Sequence, residues 1–292
     1  MQIKDKLKRL IPDEIYLKWL FRKMTGNNLN LKNPKTYNEK LQWLKLYDRN
    51  PLYTKMVDKY EVKKIVSSRL GEGYVIPTLG IWENFDDIDF NCLPEKFVLK
   101  TTHDSGTVYI CTDKTRFDIT KTRNEINKSL KNNFYYYARE WPYKNVKPRV
   151  MAEQYMENAA TGDLRDYKFF TFNGKARLLF IATQRQCEET ETKYDFFDMD
   201  FNHLAFTHGH PNADISPQKP ERFEEMKEMA ERLSDGMAHV RVDLYEVDGK
   251  IYFGEMTFYS SGGMVPFDPP EWDYKLGEWI ELPKNKKSYT EM

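Results

Sequence analysis

The sequence predicts an α+β protein built in lobes rather than around one doubly wound parallel sheet. Two strand–turn–strand signals, centred on Asn173-Gly174 and Asp248-Gly249, place antiparallel hairpins in the C-terminal half. Helical periodicity is confined to a few segments, so most strands lack the crossover helices that parallel pairing needs. The length, 292 residues, exceeds one average domain and sets the expectation at two lobes or one large domain.

The first 23 residues combine seven Lys/Arg (Lys4, Lys6, Lys8, Arg9, Lys18, Arg22, Lys23) with three acids (Asp5, Asp13, Glu14). Ile11, Ile15, Leu17, Trp19, Leu20 and Phe21 accompany them. An amphipathic helix packed on the body of the protein is the favoured reading, and peripheral attachment to an anionic membrane is the alternative. A short helix follows over 37–47, carried by Leu41, Trp43, Leu44 and Leu46 and stopped by Asp48-Arg49-Asn50-Pro51. A second helix is expected over 54–69, with Met56, Val57, Tyr60, Val62, Ile65 and Val66 near helical spacing and Gly71 and Gly73 beyond its end. Residues 75–82 read as extended. Strands are expected at 97–101 and 107–111, joined by the polar loop His103-Asp104-Ser105-Gly106. A helix over 119–137 ends in an aromatic run, and a strand over 149–156 follows Pro148. Strands at 164–172 and 176–183 flank Asn173-Gly174. A helix over 220–237 then leads into strands at 240–247 and 251–259, which flank Asp248-Gly249. No internal repeat or low-complexity tract interrupts this order.

Composition narrows the function classes. An apolar fraction of 40% and an aromatic fraction of 15% argue against disorder. Lys+Arg and Asp+Glu are both 45, so no broad attraction to nucleic acid is expected, and local clusters must carry any phosphate chemistry. Cys92, Cys111 and Cys187 lie far apart without CxxC spacing, which fits a reduced compartment and small buried hydrophobes. No run of about 18 apolar residues predicts a membrane-spanning helix, and charges interrupt every candidate signal core near the N-terminus. A cytoplasmic setting is expected, at the inner membrane face if the basic N-terminus attaches.

The hairpin around Asp248-Gly249 carries the most chemistry. A three-residue loop, Asp248-Gly249-Lys250, would pair Val247 with Ile251, Tyr245 with Phe253, Asp243 with Glu255 and Arg241 with Thr257. These eight would share one face of the ribbon, with Val240, Val242, Leu244, Met256 and Phe258 on the other. A slip of one residue would set Asp243 against Gly254 and scatter the apolar set. Two carboxylates facing across a ladder lie roughly 5 Å apart at Cβ and repel unless a positive charge sits between them. Mg²⁺ suits such a pair, because it takes one or two protein carboxylates and completes its shell with phosphate oxygens and water. Arg241 alongside offers a fork for a phosphate or carboxylate. An ordinary ion-pair lattice, with Arg241 neutralising both acids, is an equally weighted alternative.

Lys100 ends a strand beside the small-residue loop at 103–106, a plausible phosphate cradle of backbone N–H groups and one point charge. No GxxxxGK[ST], GxGxxG or GxSxG occurs. His208-Gly209-His210 before Pro211-Asn212 reads as a turn rather than a metal site, lacking a third ligand at recognisable spacing. Asp198-Met199-Asp200 has the spacing of a glycosyltransferase DxD, a pattern that arises by chance in a chain this charged.

In order, residues 97–100 with their loop, 152–156, 162–165, 241–243 and 254–257 resemble the ATP-grasp superfamily. Over about 33–283 the chain is similar to the TupA-like ATP-grasp proteins of bacterial surface-polysaccharide and teichuronopeptide biosynthesis. The segments 37–44, 140–143 and 240–245 carry that closer match. The resemblance implies two α+β lobes with ATP between them, after a mostly helical N-terminal region. It sets boundaries at 1–94, 95–156 for the small lobe, 157–283 for the large lobe and 284–292 for a tail.

It also implies roles. Lys100 would contact ATP phosphates, with Ser105 and Gly106 in a loop closing over them. The strand through Glu153, Tyr155 and Met156 would meet the adenine. Asp163 would lie near the ribose, and Arg165, Arg185 and Arg241 would act on the phosphate or acyl phosphate. Lys168 and Lys193 are further cations for the nucleotide. Asp243 and Glu255 would hold Mg²⁺, with Thr257 where the family usually has a third ligand, Asn. The implied activity is an ADP-forming carboxylate–amine ligase on a small-molecule or polysaccharide-precursor acid and amine. A kinase of a sugar or lipid-linked hydroxyl and a nucleotide-sugar glycosyltransferase are its rivals.

Overall fold

The computed structural model describes residues 9–158, 164–184 and 191–284. Its first elements are α1 (Asp13–Thr25), α2 (Tyr37–Tyr47), α3 (Pro51–Val57), α4 (Glu61–Leu70), β1 (Thr78–Trp82), β2 (Phe97–Thr101), β3 (Val108–Cys111), α5 (Ile119–Leu130), α6 (Tyr135–Ala138) and β4 (Val150–Gln154). After these come β5 (Asp166–Phe172), β6 (Lys175–Thr183), β7 (Lys193–Phe197), β8 (His203–Leu204), β9 (Thr207–His208), α7 (Phe223–Leu233), β10 (His239–Val247), β11 (Lys250–Thr257), β12 (Phe267–Asp268) and α8 (Glu271–Trp279). None of the described helices is long and apolar enough to cross a membrane.

Two compact units form, one from Met1–Arg49 with Leu164–Met292 and the other from Asn50–Asp163. The N-terminal region expected as 1–94 is therefore cut at residue 49, and 95–156 shares a unit with α3 and α4. Buried polar groups explain the division. On α2, the Tyr37 hydroxyl lies 3.0 Å from His239 Nε2, and the Asn38 backbone N–H donates to Asp273 at 2.9 Å. Further along α2, Gln42 Nε2 donates to the Gly263 carbonyl and Lys45 Nζ to that of Gly262, each at 2.7 Å. Past residue 50 the partners change. Arg149 Nη2 donates to Asp58 at 2.8 Å, and Lys63 Nζ pairs with Glu153 at 2.6 Å.

The first unit holds a six-stranded antiparallel sheet in the order β11-β10-β5-β6-β7-β8. β5 is buried along its whole length. Helix α7 buries Phe223, Met226, Met229, Ala230 and Leu233 at helical spacing, and Phe223 meets Phe169 of β5 at 5.8 Å between ring centres. Tyr37 packs near Phe170 and Phe172 of the same strand. Helix α1 packs through Leu17 and Phe21 against Leu29 and Met264, the favoured of the two N-terminal readings.

The second unit holds a four-stranded antiparallel sheet in the order β1-β4-β2-β3. Phe97, Leu99, Val150 and Ala152 from its strands pack with Phe85, Ile88 and Leu93, and Ile126 of α5 joins them. Two expected helices are each divided. The span 54–69 breaks at Asp58, whose Oδ1 accepts from the N–H groups of Tyr60 and Glu61 and so starts α4. The span 119–137 breaks after Leu130, before the short α6. Strands β7, β8, β9 and β12 and helix α8 were not expected.

Candidate active site

The β10–β11 hairpin differs from its expected form near the turn and agrees with it at the acids. The loop has two residues, with Asp248 at φ 49° and Gly249 at φ 71°, the left-handed pair that a tight hairpin favours. Val247 therefore pairs with Lys250, Tyr245 with Tyr252 and Leu244 with Phe253. A bulge at Gly254 then restores the expected register, setting Asp243 against Glu255 and Arg241 against Thr257. Gly254 is required there, because a Cβ would lie 2.9 Å from the Tyr245 ring and 3.1 Å from the Asp243 carbonyl. The bulge also shifts the alternation, so Ile251 and Phe253 join Val240, Val242, Leu244, Met256 and Phe258 among the buried apolar residues.

Arg241 lies between the two acids rather than beside them. Its Nε donates to Asp243 Oδ1 at 2.6 Å and its Nη2 to Oδ2 at 2.7 Å, a bidentate fork. The same Nη2 donates to Glu255 Oε1 at 3.0 Å, and Nη1 to Ser260 Oγ at 3.2 Å. Lys168 of β5, paired with Asp243 across the β5–β10 ladder, also donates to Asp243 Oδ2 and reaches Asp166 Oδ2 at 2.5 Å. Two cations thus serve three acids. Burial alone would raise the pKa of the Asp243 carboxyl, but the charges of Arg241 and Lys168 outweigh it and hold that pKa below the ordinary range. Burial likewise works against the Arg241 charge, and Asp243 and Glu255 overcome it, pushing its pKa up. Glu255 keeps 40% of its side chain exposed, and Thr257 Oγ1 donates to its Oε1 at 3.3 Å. Asp243 has no exposure at all.

In the second unit, Lys100 of β2 pairs with Glu153 Oε2 of β4 at 2.5 Å, while Lys63 of α4 takes Oε1. Lys63 also donates to the Ile76 carbonyl at 2.7 Å and to Thr78 Oγ1 at 2.8 Å. Burial lowers the Lys63 pKa more than Glu153 raises it. Glu153 is buried too, yet Lys100 and Lys63 hold its pKa below the usual carboxylate range. Beside Lys100, the loop at 103–106 is pinned by Asp104, whose carboxylate accepts from the hydroxyls of Thr101, Thr107 and Ser129. Ser105 is exposed, and Gly106 takes φ 93°, open to left-handed backbone.

A family model for TupA-like ATP-grasp proteins matches residues 39–281, most of the chain. The chain belongs to the TupA-like ATP-grasp family. Its fold is the ATP-grasp fold. Similar solved structures include D-alanine–D-alanine ligase from Helicobacter pylori, 12% identical, with TM-score 0.45, covering 86% of this chain and 68% of that one. The Bacillus anthracis enzyme, solved with ATP, is 18% identical, with TM-score 0.39 and coverages of 70% and 53%. The ATP-grasp ligase PsnB, solved with a phosphomimetic precursor variant, Mg and ADP, is 10% identical, with TM-score 0.43 and coverages of 75% and 57%. The chain thus spans a little over half the length of the PsnB structure. Among curated proteins, none matches the sequence.

The other residues expected at the site of this TupA-like ATP-grasp chain are less assembled. Arg165 is exposed just before β5, and Lys193 opens β7 opposite Thr183; neither has an ion pair among the described residues. Tyr155 lies beyond β4, its ring 5.4 Å from Lys96 Nζ, and stays outside the Lys100–Glu153 pair. Arg185 and Asp163 lie outside the described residues. Asp198 accepts from the N–H groups of Asp200 and Asn202 at 3.0 and 2.8 Å, so the DxD spacing closes a turn. His208 is buried against Phe267, and burial pulls its pKa down to about 4. Lys63 and Asp166 are the residues sequence reasoning missed. Asp166 had a signal, because it and Lys168 are the only charges in an otherwise apolar strand and share one face.

Proposed function

We propose that this TupA-like ATP-grasp chain is an ADP-forming, ATP- and Mg²⁺-dependent ligase that joins a carboxylate to an amine in the assembly of a bacterial surface polysaccharide. The observation that carries it is the facing pair of Asp243 and Glu255 with the Arg241 fork between them, in a chain of this family.

The donor set suits Mg²⁺. Asp243, Glu255 and Thr257 offer two carboxylates and a hydroxyl on facing strands, all hard oxygen donors. No group of three or more His, Cys, Asp or Glu suited to a metal occurs among the described residues. Mg²⁺ takes only one or two protein carboxylates and the rest of its shell from phosphate oxygens and water. Arg241 and Lys168 already supply positive charge to Asp243, so a metal would take its place among these contacts and lean on the more exposed Glu255. When bound, the metal would offset negative charge on the phosphoryl group being transferred.

In this reading a substrate carboxylate takes the γ-phosphoryl group of ATP, and an amine then displaces phosphate from the acyl phosphate. Arg241 orients Asp243 and, as its contacts to the acids loosen, presents its fork to the transferring oxygens. Lys168 holds the buried carboxylate ionised. Lys100, paired with Glu153, serves the phosphate chain, with Ser105 and Gly106 beside it. Because Asp198 closes a turn, no observation favours the glycosyltransferase reading.

The test is the nucleotide product. ADP released only when an acid and an amine are both present is expected, whereas ADP released with a single hydroxyl acceptor would make the chain a kinase. Glu255→Gln is the companion, since its partly exposed side chain allows the change without unfolding. We expect at least a hundredfold loss of ADP formation with an unchanged Tm. Full activity in that variant would remove Glu255 from the metal site.

A further inference from the structure

We propose that the outward face of α1 docks the chain onto an anionic lipid bilayer. Helix α1 lies with Leu17 and Phe21 packed on its own unit, and its opposite side carries exposed residues. That side is not the usual polar face of a surface helix. Ile15 is 61% exposed and Trp19 52%, and Leu10, just ahead of the helix, is 80% exposed. At 100° per residue, Ile15, Trp19 and Arg22 fall within an arc of about 60°, flanked by Lys18 on one side and Lys23 on the other. Lys23 Nζ sits 5.4 Å from the Trp19 ring centre, so cation and indole form one amphipathic tip. Of the acids on this helix, Asp13 turns to Arg49 at 2.7 Å and Glu14 pairs with Lys18 at 2.6 Å.

Charge selects the occupant. Residues 1–23 carry seven cations and three acids in a chain whose total is zero, so the remainder is net negative by four. An anionic surface attracts this end of the sequence and repels the rest, which would orient the molecule. Size argues against a protein partner on the same face. A 13-residue helix is about 20 Å long, and its exposed strip covers on the order of 200 Å², far below the roughly 800 Å² per partner of a stable interface. Apolar residues and an indole between cations are instead what an interfacial helix needs.

The full chain would be sedimented with phosphatidylcholine vesicles, with and without phosphatidylglycerol, across a salt series. Sedimentation with the anionic vesicles alone, weakening as salt rises, is expected. Lys18→Gln, Arg22→Gln and Lys23→Gln combined should weaken it about a hundredfold, at roughly fivefold per cation. Trp19→Ser should weaken it with the Tm unchanged, separating the face from the fold. Equal binding to neutral vesicles, no binding at low salt, or binding untouched by both variants would overturn the proposal. So would a dimer in sedimentation velocity that Trp19→Ser abolishes, since the face would then be a protein contact.

Discussion

Asp243→Asn is the substitution whose effect the structure alters most. From the sequence alone it removes a charge without changing volume, and folding should survive nearly intact. In the structure Asp243 is wholly buried and accepts two charge-assisted hydrogen bonds from Arg241 and one from Lys168. An Asn amide keeps one acceptor oxygen and turns its NH₂ toward a cation, so at least one of the three bonds is lost. Removing one partner from a buried ion pair costs about 3–5 kcal/mol. Here Lys168 retains Asp166 and Arg241 retains Glu255, which moves the expectation to the lower end, about 3 kcal/mol. For a chain of this size that is a Tm lower by about 6–12 °C. The assay is a thermal melt of both proteins, repeated with MgATP. MgATP should raise the Tm of the parent and leave that of the variant where it was. A variant melting within about 1 °C of the parent would refute the reasoning, because Asp243 would then not be the counter-ion of the two cations.

Two further outcomes follow from the fold. His239 accepts from the Tyr37 hydroxyl at Nε2 and donates from Nδ1 to the Thr171 carbonyl at 2.8 Å, and burial pulls its pKa down to about 3. Above pH ~6.5 neither state binds the extra proton and its contribution is complete; as pH falls toward 3 the unfolded chain takes up a proton that the folded one refuses. Denaturant titrations should therefore show the parent losing about 2 kcal/mol more between pH 6.5 and 5 than His239→Gln, and parallel curves would contradict the buried neutral imidazole. Gly254→Ala should cost about 1–3 kcal/mol, because the added Cβ meets the Tyr245 ring and the Asp243 carbonyl. Combining it with Tyr245→Ala should recover part of that loss in the same melt, and an unshifted Tm for Gly254→Ala alone would mean the bulge yields freely.

The acid pair was legible because alternation and a turn signal together constrain register, and Asp243 does face Glu255. The path to that pairing was not legible. A three-residue loop and a two-residue loop followed by a bulge give the same register at the acids, and only packing of Tyr245 over Gly254 selects the second. Helix 54–69 read as continuous because its apolar spacing is continuous, but Asp58 prefers to cap α4 and to receive Arg149, a partner 91 residues away. Lys63 looked like any exposed helical lysine, since its acid lies on a strand 90 positions later and nothing local marks it. Helix α8 does carry a signal in the sequence: Pro270 at its start and Glu271 and Asp273 in its first turn.

The division of the chain at residue 49 also bears on how the protein is made. Tyr37 must wait for His239, a separation of 202 residues, and Gln42 waits 221 for the Gly263 carbonyl. At the usual 5–20 residues per second of synthesis, α2 spends roughly 10–40 s outside the ribosome with a tyrosine, a glutamine and a lysine destined for burial but still lacking their distant partners. The segment Asn50–Asp163 completes its own sheet within that interval. A ribosome pausing in the stretch before residue 239 would prolong the exposure of Leu41, Leu44 and Trp43 on the same helix, and that window is where a chaperone would have most to do.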